Sequence, residues 1–96
     1  MVSLELTVDE AVNYLKENLK IHDELEISYN RIFADGEVLN VDFSEYFEKP
    51  GFKILMSLDD TNLDPTIEID VYEVKEDFIE FIHRPKNGEE VEVTVI

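Results

Sequence analysis

Residues 59–64 read Asp-Asp-Thr-Asn-Leu-Asp, and Asp60, Asn62 and Asp64 alternate. That spacing of oxygen donors is how a helix–loop–helix calcium loop begins. The match ends where the geometry is strictest. With Asp60 as position 1, position 6 needs glycine for the sharp turn but holds Pro65, and position 12 needs a bidentate glutamate but holds Val71. Asp59, Asp60 and Asp64 are left as a weak surface cation site, on a polar connection between two strands.

Other constellations fare no better. His22 and His83 are the two histidines, and neither has a second histidine at helical spacing for zinc. His83 is expected to face Glu92 across a hairpin as a surface ion pair. The serines lack the glycine elbow of an exposed nucleophile. The three glycines, Gly36, Gly51 and Gly88, read as turn residues, not as a phosphate loop. With 24 Asp and Glu in 96 residues, paired carboxylates are too common to mean catalysis. An acid–base pair needs one acid in an apolar pocket to raise its pKa, and a domain this small has little room for one. Even Glu80, set among Phe78, Ile79, Phe81 and Ile82, is expected to be exposed. No catalytic residue, cofactor or resident metal is assigned, and an enzyme is not expected.

The elements that would position any site form a single domain over residues 1–96. Thr7 and Glu10 match a capping box. Val8, Ala11, Val12, Leu15 and Leu19 then make one apolar stripe, which predicts a helix over about residues 8–20. Leu4 and Leu6 suggest a short strand or a staple before it. Alternation predicts strands around Leu25–Tyr29, Leu39–Phe43, Phe52–Leu58, Ile67–Val71 and Val91–Val95. Asp35-Gly36, Pro50-Gly51 and Asn87-Gly88 are read as their turns. Residues 75–84 fit either a strand or a short helix, with the strand favoured because the last hairpin needs a partner. Residues 44–48 read as a single helical turn carrying Tyr46 and Phe47. The fold class is α+β: one N-terminal amphipathic helix packed on a five- to six-stranded, mostly antiparallel meander sheet.

The charge is the most informative number. Eight Lys and Arg stand against the 24 acids, for a formal net charge of −16. Six of those eight are Lys, and Ile and Phe are abundant, the reverse of salt adaptation. Such a surface repels phosphates and anionic lipids, so neither nucleic acid nor a membrane is expected as a direct partner. No cysteine is present, which excludes disulfides and thiolate metal sites and favours a reducing compartment. The start has no basic segment or long apolar run, so a signal peptide is not expected and a cytoplasmic location is.

Alternation turns one set of side chains away from the helix, and carboxylates dominate it. Glu26, Asp42, Glu68, Asp70, Glu90 and Glu92 are the candidate partner-binding acids, with Tyr46 as an aromatic anchor beside them. Residues two apart on a strand are about 6.6 Å apart, so Glu68/Asp70 and Glu90/Glu92 make regular rows of charge. The expected function is that of a small acidic binding protein whose partner is basic, a nucleic-acid-binding protein or nuclease. Size and charge are similar to those of nucleic-acid mimics and of immunity proteins that block nuclease toxins. The alternative is a structural or assembly module acting through a homodimer, suggested by apolar residues on both faces of the 78–83 stretch.

Overall fold

Thr7 begins the long helix for the reason its sequence gives. Its Oγ1 accepts from the Glu10 N–H at 3.3 Å, while the Glu10 carboxylate accepts from the Thr7 N–H at 2.9 Å. This closed capping box satisfies two otherwise orphaned donors. In the computed structural model, which describes residues 1–59 and 65–96, helix α1 spans Val8–Asn18. Ala11, Val12 and Leu15 are buried along it, with Leu19 just beyond.

The architecture is α+β, with a mostly antiparallel sheet and short helices. The strands are β1 (Val2–Leu6), β2 (Glu24–Tyr29), β3 (Ile32–Asp42), β4 (Lys53–Leu58), β5 (Thr66–Asp70), β6 (Phe78–Arg84) and β7 (Val91–Val95). Among the described residues the sheet has seven strands, where five or six were expected. They lie in the order β1-β7-β6-β2-β3-β4-β5, and β1 runs parallel to β7.

The sheet is not a simple meander either. Strands β2 to β5 follow one another, but β6 returns to the far side of β2. The return is made by helix α2 (Val71–Val74) and a 3-10 turn (Lys75–Asp77). Asp70 caps α2 by accepting from the Glu73 N–H at 3.3 Å. The 75–84 stretch therefore divides: its first residues are helical and Phe78–Arg84 is strand. Val71, expected on a strand, opens α2 and is buried there.

Two of the expected turns are misplaced, and packing explains both. The β2–β3 hairpin turns at Asn30-Arg31, where Asn30 adopts φ 55°. Gly36 lies inside β3, where a Cβ would sit 1.9 Å from the Ser57 carbonyl oxygen on β4. Pro50-Gly51 makes no type II turn, since no described glycine has positive φ. Gly51 instead lets the chain pass Ser44, whose carbonyl oxygen a Cβ would approach to 1.8 Å. The third signal holds in a looser form: Asn87-Gly88 lies in the connection between paired strands β6 and β7.

Beneath α1, the core joins Leu25, Ile27, Ala34, Val38, Phe52, Ile54, Met56, Ile69, Phe81 and Val93. An irregularity between Val38 and Asn40 makes Leu39 an extra residue. Leu39, expected inside, is consequently exposed, whereas Val41 faces the core, and Phe43, also expected inside, lies past the end of β3 and is half exposed.

Candidate functional site

Three groups of side chains stand out, and the first is buried. His83 shares the inward face of β6 with Phe81 and is 1% exposed. Its Nε2 lies 2.7 Å from the Asp23 carboxylate, and its Nδ1 lies 2.8 Å from the Tyr14 hydroxyl. The expected surface pair with Glu92 does not form, because Val91 is the residue opposite His83 and Glu92 pairs with Ile82. Asp23, 4% exposed, also accepts from the backbone N–H groups of Lys20 (3.0 Å) and Lys86 (3.1 Å). Burial pushes its carboxyl up, but the hydrogen bonds from His83, Lys20 and Lys86 outweigh that and hold it below its ordinary value. Burial, followed by the charge of Asp23, raises the Tyr14 phenol. With Nε2 donating to Asp23, Nδ1 accepts from Tyr14. This chain ties α1, the α1–β2 connection and the β6–β7 connection together.

The second group covers the sheet face opposite α1. Its strands place carboxylates directly against carboxylates: Glu24 pairs with Glu37 and Glu26 with Asp35 across β2 and β3. Like charges so placed weaken a sheet. Glu26 and Glu90 converge on Arg84, at 2.9 and 3.1 Å, and Glu92 is two strands from Glu26 across Ile82. Asp42 and Asp70 lie on either side of Lys53, and Glu68 is the next outward residue of β5. The six acids expected to meet a partner thus form two groups, each around one cation. Two of them also have structural duties. Asp42 accepts from the Ser44 N–H at 2.8 Å, and Asp70 caps α2. Hydrogen bonding to Ser44, helped by the Lys53 charge, holds the Asp42 carboxyl below its ordinary value.

Between those groups lies a cluster not anticipated from sequence. Glu24, Asp35 and Asp59 bring carboxylate oxygens within 4.8 Å of one another. Burial, then Asp59, Asp35 and Glu37, raise the Glu24 carboxyl. Oxygen donors of this type suit a hard cation, and a proton held by Glu24 relieves the same repulsion. Asp59 was expected to act with Asp60 and Asp64, which lie outside the described residues. The readable signal was parity, since Phe33, Asp35 and Glu37 alternate with the buried Ala34, Gly36 and Val38.

The third group is a finger over residues 43–49. Tyr46 and Lys49 exchange both backbone hydrogen bonds at 3.0 Å, closing a two-residue turn in place of the expected helical turn. The turn residues Phe47 and Glu48 adopt φ 51° and 62°. Asparagine and glycine suit such a turn, and left-handed backbone costs other residues roughly 1–2 kcal/mol each. Tyr46 is 67% exposed and Phe47 81%, with their rings edge to face at 4.5 Å. At the base, Phe43 stacks on the buried Phe52 at 5.0 Å. A cleft of about 370 Å³ separates the finger from α2, lined by Tyr46, Phe52, Tyr72 and the carboxylates Asp42, Glu45, Asp70 and Glu73, with Lys49 and Lys53.

No helix among the described residues is long and apolar enough to cross a membrane. No curated protein and no solved structure matches the chain significantly. Residues 2–94 match the family model described as "Uncharacterized protein conserved in archaea (DUF2097)". The chain belongs to that family.

Proposed function

We propose that this archaeal family member is a small acidic binding protein, without catalytic activity of its own, that occupies a basic site on another protein. A nucleic-acid-binding protein or nuclease is the partner class whose surface offers such a site. The observation that carries the reading is the pairing of Glu24 with Glu37 and of Glu26 with Asp35 on the central strands. Each opposed like-charge pair works against the sheet by roughly 0.2–1 kcal/mol, offset in part by the Arg84–Glu26 ion pair and the His22–Glu37 contact, and lysine at either position would relieve it. A face that keeps its charges opposed, on a chain of net charge −16, is suited to a cationic surface.

Electrostatic steering makes such association fast and salt-sensitive. Immobilised protein should capture a nucleic-acid-binding protein from an archaeal lysate at 50 mM salt and release it at 500 mM. The captured protein should lose its nucleic-acid binding when this chain is added in excess. Capture of nothing that salt releases, together with a salt-independent dimer in sedimentation, would replace this reading with self-assembly. Phe33, 64% exposed on the outer face, would then be the first contact to seek.

A further inference from the structure

The exposed aromatic finger stands apart from the rest of the charged surface. Tyr46 and Phe47 project from a turn in which both central residues have positive φ. Its base is fixed at three points: the Asp42–Ser44 hydrogen bond, the Phe43–Phe52 stack, and the close passage of Gly51 past Ser44. A rigid base under an exposed aromatic tip presents its rings at little further entropic cost.

The cleft beside it already accommodates a cation from this chain. Lys53 Nζ sits 6.0 Å from the centre of the Tyr46 ring, and the Lys53 backbone pairs with Asp42 on one side and Asp70 on the other. That distance is at the outer limit of a cation–π contact. A planar guanidinium could use the site more fully, stacking on a ring while donating in pairs to carboxylates. Tyr46 and Tyr72 supply the rings, and Glu45, Asp70 and Glu73 the acids. Tyr72 is kept in place by Lys16, whose Nζ donates to its hydroxyl at 3.0 Å.

We infer that this cleft is the seat of an arginine side chain presented by the basic partner, with Tyr46 stacked on the guanidinium. The inference rests on the binding-protein reading above and adds to it a position and a residue type. Because the seat combines ring faces with carboxylates, it separates arginine from lysine, which charge alone does not.

Hexa-arginine and hexa-lysine peptides provide the test, by calorimetric titration at 50 mM salt with amide NMR on the full chain. Hexa-arginine should bind at least fivefold more tightly than hexa-lysine, and amides of residues 42–53 and 70–73 should shift most. Tyr46→Ala, at an exposed tip, should weaken hexa-arginine at least fivefold, and Lys53→Met, which removes the resident cation, should tighten it. Glu5→Gln, exposed on β1 at the opposite edge of the sheet, should weaken it less than twofold. Equal binding of the two peptides, or binding that ignores Tyr46→Ala, would overturn the arginine seat while leaving the acidic-surface reading intact. Absence of binding by either peptide would overturn both.

Discussion

Asp23 and Glu24 are joined by a single peptide bond, yet their carboxyl groups move in opposite directions. Asp23 turns inward, where burial would favour the neutral acid, but His83 and the backbone donors of Lys20 and Lys86 hold the charge in place. Glu24 turns outward and meets Asp59, Asp35 and Glu37. The buried charge is the comfortable one, because donors surround it. The partly exposed charge is strained, because burial disfavours it and the acceptors around it add to that cost. Burial works against both charges, and what each one faces decides the outcome: the donors around Asp23 overcome it, while the acceptors around Glu24 reinforce it.

The largest test of that contrast is Asp23→Ala. It leaves His83 Nε2 and two backbone N–H groups without acceptors, and should cost about 3 kcal/mol in urea unfolding at pH 7. A loss below about 1 kcal/mol would remove Asp23 as an organising group. The sign of its pH dependence follows from the lowered pKa. Its contribution is complete above the ordinary aspartate value of about 3.9 and fades as pH falls through the lower folded value. Tyr14→Phe is the intermediate case, costing about 1 kcal/mol by leaving His83 Nδ1 without its donor. In an alkaline absorbance titration the same variant should lose one of the phenols that ionise above the ordinary value, the groups of Tyr14 and Tyr29. Glu24→Gln is the smallest and has the opposite sign, stabilising the protein by about 0.5 kcal/mol at pH 7. Since the Glu24 pKa is raised, the folded state holds that proton more tightly than the unfolded chain does. Stability is therefore gained as pH falls through the raised value, and the advantage of Glu24→Gln should disappear near pH 4. An advantage that persisted there would place its cause outside the acidic cluster.

What could be read from sequence followed the range of the interaction. The capping box of Thr7 and Glu10 and the stripe from Ala11 to Leu19 are local, and α1 forms as they require. Strand alternation was equally legible, and with it the outward set containing Glu26, Glu68 and Glu92. Gly36 misled because glycine serves two needs, backbone freedom and close approach, and only the fold shows that here it is the second. The return of β6 to β2 was hidden in the mixed character of Val71–Asp77, whose helical turns carry the chain from β5 to β6. The Asp23–His83 bond depended on a pairing between remote strands, although His83 shares parity with Phe81 and so pointed inward. Tyr46 was legible as an exposed anchor, while the φ values of Phe47 and Glu48 had no local signature.

Pairing of β1 with β7 sets the order in which this chain can finish folding. On a ribosome, β1 emerges without this neighbour and waits until β7 has been made. Residues Leu4 and Leu6 must wait through synthesis of the whole domain before Val93 and Val95 arrive opposite them. The β2–β3–β4–β5 meander can assemble from near neighbours in the meantime. Closure at the β1 edge brings together the most distant segments of the chain, and contacts of such long sequence separation slow folding. A slow final phase, sensitive to Val93 but not to Met56, is the kinetic trace this topology should leave.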